Sequence, residues 1–233
     1  MKTYHWCWIL ALLSLFPNSL YNQISELTPD VNGGTHLLSG KRITYHWIYI
    51  DENGQTIPYS LFIDFDTPMD SMQKAYLTKF HREINFAYFI SDDPFKEMIL
   101  VLAGKLRDLA SVYSIPEAEL ALSFVQALPY QTNMGIYQRY AAETLIDAQG
   151  DCSDTAVLYA GILSAWRYDC VFLKYPGHIA VGVWVAPDIE KGIFYTHRDR
   201  RFYYAETTGP GSKIGGQLPY GCYQADIEEV FFD

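Results

Sequence analysis

The sequence predicts an α+β fold, with helical and strand segments in separate stretches of the chain. Three observations predict it. Apolar residues recur at helical spacing through about 94–128 and again from Cys152 onward. The period then changes to two in "GHIAVGVWV" (177–185) and "RFYYAETT" (201–208). A separate period-two block, "RITYHWIYI" with "TIPYSLFIDF", stands ahead of the helices.

The chain opens on "MKTYHWCWILALLSLFPNSLYN" (1–22). Lys2 is followed by an apolar run from Trp6 to Phe16, too short to span a bilayer, and Pro17 breaks it. This layout predicts a signal peptide, and with it export to the periplasm, the cell envelope or the extracellular space. An uncleaved N-terminal anchor is the alternative, and the only membrane contact expected. Residues 23–92 are predicted to form a β-rich accessory region. Its two strands flank "DENGQ" (51–55), which is rich in turn formers; the stretch from about 72 to 90 mixes helix and strand signals. Residues 93–233 are predicted to form the main domain.

In that domain Asp93 and Pro94 suit a helix start, with Asp as cap and Pro in the first turn. Ile99, Leu102, Leu106, Leu109 and Tyr113 then fall on one face. "SIPE" (114–117) reads as a capping box for a second helix, Ser114 being the cap, which runs to about Leu128. Asp151 can cap a third helix beginning at Cys152. In the strand after it, Ile179, Val181 and Val183 face one way. His178, Ala180 and Gly182 face the other, where small side chains leave room for a helix end. Phe202, Tyr204 and Glu206 share a face of the last long strand.

Composition narrows the function. With 49% hydrophobic and 19% charged residues the chain is globular. Its net charge of −10, without a Lys/Arg cluster, argues against nucleic acid as a partner. "HRDRR" (197–201) reads as a hairpin tip. The four cysteines, Cys7, Cys152, Cys170 and Cys222, include no CxxC pair, and no HExxH occurs, so neither a metal nor another cofactor is expected. Cys170 and Cys222 could form a disulfide after export or serve as buried apolar residues.

Cys152 differs from the others in its setting. A thiol in the first turn of a helix lies near unpaired backbone N–H groups and the positive end of the helix dipole, which favour thiolate. Asp151 and Asp154 oppose this, so a nearby imidazolium has to dominate. At the ordinary thiol pKa only about 3% is ionised at neutral pH. Of six histidines, His178 is the best base, since it opens a strand after the Pro176-Gly177 turn. Glu206 could orient its second nitrogen. Gln126, near the end of the second helix, could give an amide N–H to an oxyanion. Asp154 and Asp169 are rivals for the carboxylate role. The aromatic group Tyr195, Phe202, Tyr203, Tyr204, Tyr220 and Tyr223 reads as sheet packing in preference to a substrate floor.

Four segments occur in the order and style of a known superfamily: "SFVQALPY" (123–130), "ETLIDAQGDCSDTAVLYAGIL" (143–163), "YPGHIAVGV" (175–183) and "YYAETTGPGSKIGG" (203–216). Across about 94–216 the chain resembles the transglutaminase-like superfamily, in particular its microbial cysteine protease-like branch, which is related in architecture to papain. The resemblance implies a nucleophile-bearing helix packed on an antiparallel sheet. It implies Cys152 as nucleophile, His178 as base, Glu206 as third member and Gln126 as oxyanion donor. It implies hydrolysis of an amide or peptide bond through a thioester, with a peptide, protein or cell-envelope amide as substrate. Many relatives carry Asp where this chain has Glu206. Transamidation by the same triad and a non-catalytic binding or scaffold module are the alternatives.

Overall fold

The computed structural model describes residues 41–65, 85–132, 138–185 and 192–230. The expected signal peptide and most of the mixed stretch before residue 92 lie outside these. Mixed helix and antiparallel sheet make the fold α+β, as the periodicities predict.

Strands β1 (Lys41–Ile50) and β2 (Thr56–Phe65) form an antiparallel hairpin with Trp47 opposite Tyr59. Asp51 closes its turn by accepting from the Asn53 and Gln55 amides, and Gly54 takes φ +76°. Alternate residues Ile43, Tyr45, Trp47 and Tyr49 are buried, as are Tyr59, Leu61, Ile63 and Phe65 opposite. This hairpin is built into the main core. Tyr45 and Trp47 each meet the Phe124 ring edge-on at 5.4 Å. The Tyr45 hydroxyl donates to the Leu145 carbonyl, and the Trp47 indole donates to Ser123.

The helices follow as α1 (Tyr88–Ser91), α2 (Lys96–Tyr113), α3 (Glu117–Gln126), α4 (Ala141–Asp147) and α5 (Cys152–Ala165). Ile99, Leu102 and Leu106 point inward from α2, on the face the spacing predicts. The helix starts differ from expectation. Ser114 is not an N-cap: it ends α2 in a left-handed conformation at φ 56°, and Pro116 takes the cap position of α3 without a side-chain bond. Pro116 disfavours helix at Ile115, which separates the two helices. Asp93 lies ahead of α2, accepting from the Phe95 amide, and its other oxygen accepts from Ala142 at 3.1 Å, tying α2 to α4.

Beyond α5 come β3 (Cys170–Tyr175), β4 (His178–Trp184), β5 (Phe194–His197), β6 (Arg200–Ala205) and β7 (Asp226–Glu229), in one antiparallel sheet ordered β5-β6-β4-β3-β7. The β5–β6 turn is the expected tip: Arg198 and Asp199 both have positive φ, 48° and 59°, the geometry that suits the twist of a tight hairpin. Helix α5 is buried along nearly its whole length. It shares a core with Ile179, Val181 and Val183. The expectation that α5 approaches the Ala180–Gly182 face is therefore reversed. That face packs Val171, Leu173, Phe202 and Tyr204. A Cβ on Gly182 would lie 2.8 Å from Val171 Cγ2, so its small size serves its sheet neighbours. Cys170 and Cys222 are unpaired and belong to the cores on opposite faces of the sheet. Among the described residues no helix is long and apolar enough to cross a membrane.

Candidate functional site

The site is assembled at the end of the sheet where β4 begins and β6 stops. Asp151 is the N-cap of α5: its Oδ1 accepts from the Ser153 and Asp154 amides at 2.9 and 3.1 Å, and Asp154 returns a bond to the Asp151 amide. This reciprocal box places Cys152 as the first helical residue. The Cys152 N–H has no hydrogen-bond partner among the described residues, as first-turn amides lack helical acceptors. Gly150 ahead of it is tightly enclosed, since a Cβ there would stand 2.7 Å from Asp154 Cβ.

Asp154 does not reach the imidazole. It is fully buried, bonded to the Arg139 guanidinium at 2.7 Å and to Gln138 and the Arg139 amide. Burial and then the Asp151 charge push its carboxyl up, while Arg139 opposes them. The negative charge expected to disfavour thiolate thus has a cation of its own. Asp169, the other rival, pairs with Arg200. A cavity of about 360 Å³ lies there, at the opposite end of the strands from His178, lined by Asp169, Cys170, His197 and Glu229 among others.

The structure does bring Cys152, His178 and Glu206 together. The Cys152 thiol lies beside the His178 ring, near enough to interact with it. His178 Nε2 lies 2.9 Å from Glu206 Oε2, which leaves Nδ1 as the ring nitrogen for the sulfur. Tyr175 stacks beside the ring at 6.1 Å, with an interplanar angle of 22°. Burial pushes His178 down, but the hydrogen bonds and charges of Cys152 and Glu206 outweigh it and raise it to about 10. Burial pushes Glu206 up, and His178, Thr208 and Tyr204 together bring it down to about 2. An imidazolium held between a carboxylate and a sulfur is the arrangement these directions describe.

The glutamate has its own supports. Its Oε1 accepts from the Thr208 amide at 2.9 Å and from the Thr208 hydroxyl at 2.6 Å. Its Oε2 accepts from the Tyr204 hydroxyl as well as facing His178. A side chain longer than aspartate is thus held at both oxygens.

Gln126 is placed otherwise than expected. Its amide nitrogen donates to the carbonyls of Glu206 and Ser212 at 2.8 and 2.9 Å, and its oxygen accepts from the Gly211 amide. Both amide hydrogens are committed to backbone, so the side chain braces the 206–212 loop and has none left for an oxyanion.

Sequence reasoning missed Tyr130. Its hydroxyl stands near enough to the Cys152 thiol for the two to interact. Burial, then the charges of Cys152 and Asp151, raise it to about 12. The residue sits in a short loop with no periodicity, and only "SFVQALPY", quoted above for other reasons, contains it. The aromatic group divides: Phe202, Tyr203 and Tyr204 are buried in the sheet, whereas Tyr220 and Tyr223 are exposed and meet edge-on at 6.3 Å. Among the described residues no group of His, Cys, Asp or Glu is arranged to hold a metal ion.

No protein-family model matches the chain, and no curated protein matches it. A solved structure of a proposed cysteine protease from Cytophaga hutchinsonii is similar over 85% of this chain and 75% of its own, at 14% identity and a TM-score of 0.37. At that level of overlap the functional reading rests on the site's own geometry.

Proposed function

We propose that this chain is a cysteine-dependent acyl-transfer enzyme, a transglutaminase-like cysteine protease or amidase that cleaves an amide bond through a thioester. One observation supports the reading above all others. The first side chain of a buried helix is a thiol beside an imidazole, and a buried carboxylate holds a nitrogen of that ring.

In the proposed reaction the Cys152 sulfur, as thiolate beside imidazolium, forms a bond to the amide carbonyl carbon. The π electrons move to the oxygen, and the unpartnered Cys152 N–H is placed to stabilise the resulting oxyanion. As the tetrahedral intermediate collapses, the C–N bond breaks and His178 Nδ1 gives its proton to the departing nitrogen. Neutral His178 then takes a proton from water, whose oxygen attacks the thioester carbon, and the sulfur leaves. Glu206 keeps the ring oriented throughout and favours its protonated form. An amine in place of water makes the same site a transamidase. Export through residues 1–22 would place the substrate, a peptide or cell-envelope amide, outside the cytoplasm.

The test uses peptidyl acyloxymethyl ketones of varied sequence, read by intact mass. Wild type should gain a single adduct at Cys152. His178→Ala should react at least about 100-fold more slowly, and Cys152→Ala should gain none. Equal labelling of wild type and Cys152→Ala would end the proposal. A primary amine added to a turnover assay separates hydrolysis from transamidation by the mass of the product.

A further inference from the structure

We infer that the Tyr130 hydroxyl is a catalytic hydrogen-bond donor, delivering its O–H to the oxyanion that forms when Cys152 attacks a carbonyl. The inference rests on the acyl-transfer reading above and adds a residue to it.

The argument starts from backbone. Tyr130 forms a parallel bridge with Gly150, two residues before the thiol. The bridge is fastened on both sides: the Gln131 amide donates to the Gly150 carbonyl at 2.9 Å, and the Gly150 amide donates to the Pro129 carbonyl at 3.2 Å. The turn carrying Cys152 and the loop carrying Tyr130 are therefore one unit. Enclosure of Gly150 by Asp154 and Thr144 removes the slack that a looser turn would have. From this seat the phenol reaches the Cys152 thiol, while the residue as a whole stays 46% exposed.

Gln126, the side chain otherwise suited to the task, has both amide hydrogens bound to backbone carbonyls. The oxyanion then has one protein donor from the helix, the Cys152 N–H, and needs a second from elsewhere. A donor has to stand about 2.7–3.1 Å from the developing charge. When sulfur bonds to carbon, the carbonyl oxygen comes to rest one bond beyond that carbon, beside the sulfur. A hydroxyl held beside the sulfur by the Tyr130–Gly150 bridge needs only to turn its hydrogen to the new oxygen. The phenol stays protonated at neutral pH, since burial and the neighbouring negative groups raise it to about 12. It remains a donor when the sulfur is charged.

Two reactions of the same thiol separate this role from a merely structural one. Iodoacetamide alkylates sulfur by displacing iodide at a saturated carbon, with no oxyanion. p-Nitrophenyl acetate acylates it: sulfur bonds to the carbonyl carbon, an oxyanion forms, and p-nitrophenolate leaves with the electron pair of the broken C–O bond. The phenolate burst is read at its visible absorbance. Tyr130→Phe keeps the ring and the bridge. It should slow the burst by about 100-fold and leave the alkylation rate within about threefold. Equal slowing of both reactions would show that the hydroxyl serves the thiol alone. No change in the burst, or faster reaction in both assays as expected of a plug over the sulfur, would also overturn the inference. The absence of any Cys152-dependent burst in the wild type would count against the acyl-transfer reading itself.

Discussion

Replacing Glu206 with glutamine keeps the shape of the His178 contact and removes its charge. Against the downward push of burial, Cys152 and Glu206 lift the imidazole from 6.5 to about 10, roughly 5 kcal/mol of preference for imidazolium shared between two partners. Seen from the carboxylate, His178, Thr208 and Tyr204 overcome burial to lower Glu206 from 4.5 to about 2, roughly 3 kcal/mol. The two figures differ because each group has helpers that the other lacks. The smaller is nearer the worth of the pair itself, about 2–3 kcal/mol. Glu206→Gln should therefore bring the His178 midpoint from about 10 to roughly 8, read by NMR titration of 15N-histidine protein. Stability follows with a definite sign. His178, raised in the folded state, contributes fully below 6.5, and its contribution is lost as pH climbs through 10. Glu206, lowered in the folded state, contributes fully above 4.5 and loses its effect as pH falls through 2. The gap in urea-unfolding free energy between wild type and Glu206→Gln should be widest between pH 4.5 and 6.5 and narrow toward pH 10. An unmoved His178 midpoint, or a gap independent of pH, would refute the assignment of Glu206 as the group that holds the imidazolium.

Two further substitutions test the supports of the site. Gln126→Ala removes the partners of the Glu206 and Ser212 carbonyls and of the Gly211 amide, and should cost about 2–4 kcal/mol in urea unfolding. Unchanged stability together with a slowed acylation burst would restore the oxyanion role to Gln126. Arg139→Met strands the buried Asp154 carboxylate and should cost about 3–5 kcal/mol at pH 7. Because burial already raises Asp154, that loss should shrink as pH is lowered and the carboxyl takes up a proton, which paired unfolding curves at pH 7 and 4.5 would reveal.

Legibility followed the range of the interactions. The hairpin at 41–65, the inward face of α2 and the Asp151 cap ahead of Cys152 depend on near neighbours in the chain, and each could be read from spacing. The His178 and Glu206 positions at strand ends were legible for the same reason, although their meeting point was not. Ser114 was misread because the "SIPE" pattern serves a helix start and a left-handed helix stop equally well. Gln126 was misread because its partners sit in a loop far along the sequence, and no local pattern announces a brace. Gly182 was given to the wrong neighbour: a small residue in a strand shows that something comes close, not from which side. Tyr130 left no periodic trace at all, since its placement comes from a single bridge to Gly150.

The region ahead of the helices has a direct bearing on the site. At the end of β1 the Ile50 carbonyl accepts from the Lys213 ammonium, whose nitrogen stands 3.9 Å from the Tyr49 ring centroid. Burial pushes Lys213 down, while Glu119, Glu52 and Asp51 oppose it. The next residue, Ile214, donates its amide to Glu119 on α3 at 3.0 Å. Lys213 and Ile214 continue the loop that Gln126 holds at Gly211 and Ser212 and that begins at Glu206. The carboxylate facing His178 is thus positioned by α3 from one side and by the hairpin from the other. A loop after a strand end loses backbone freedom only where such ties exist, and here they come from two separate stretches of chain, α3 and the end of β1. The hairpin's aromatic face buries itself against Phe124 on the same helix that carries Gln126 and Glu119. Packing of the first two strands and placement of the third member of the candidate triad are consequently parts of one arrangement.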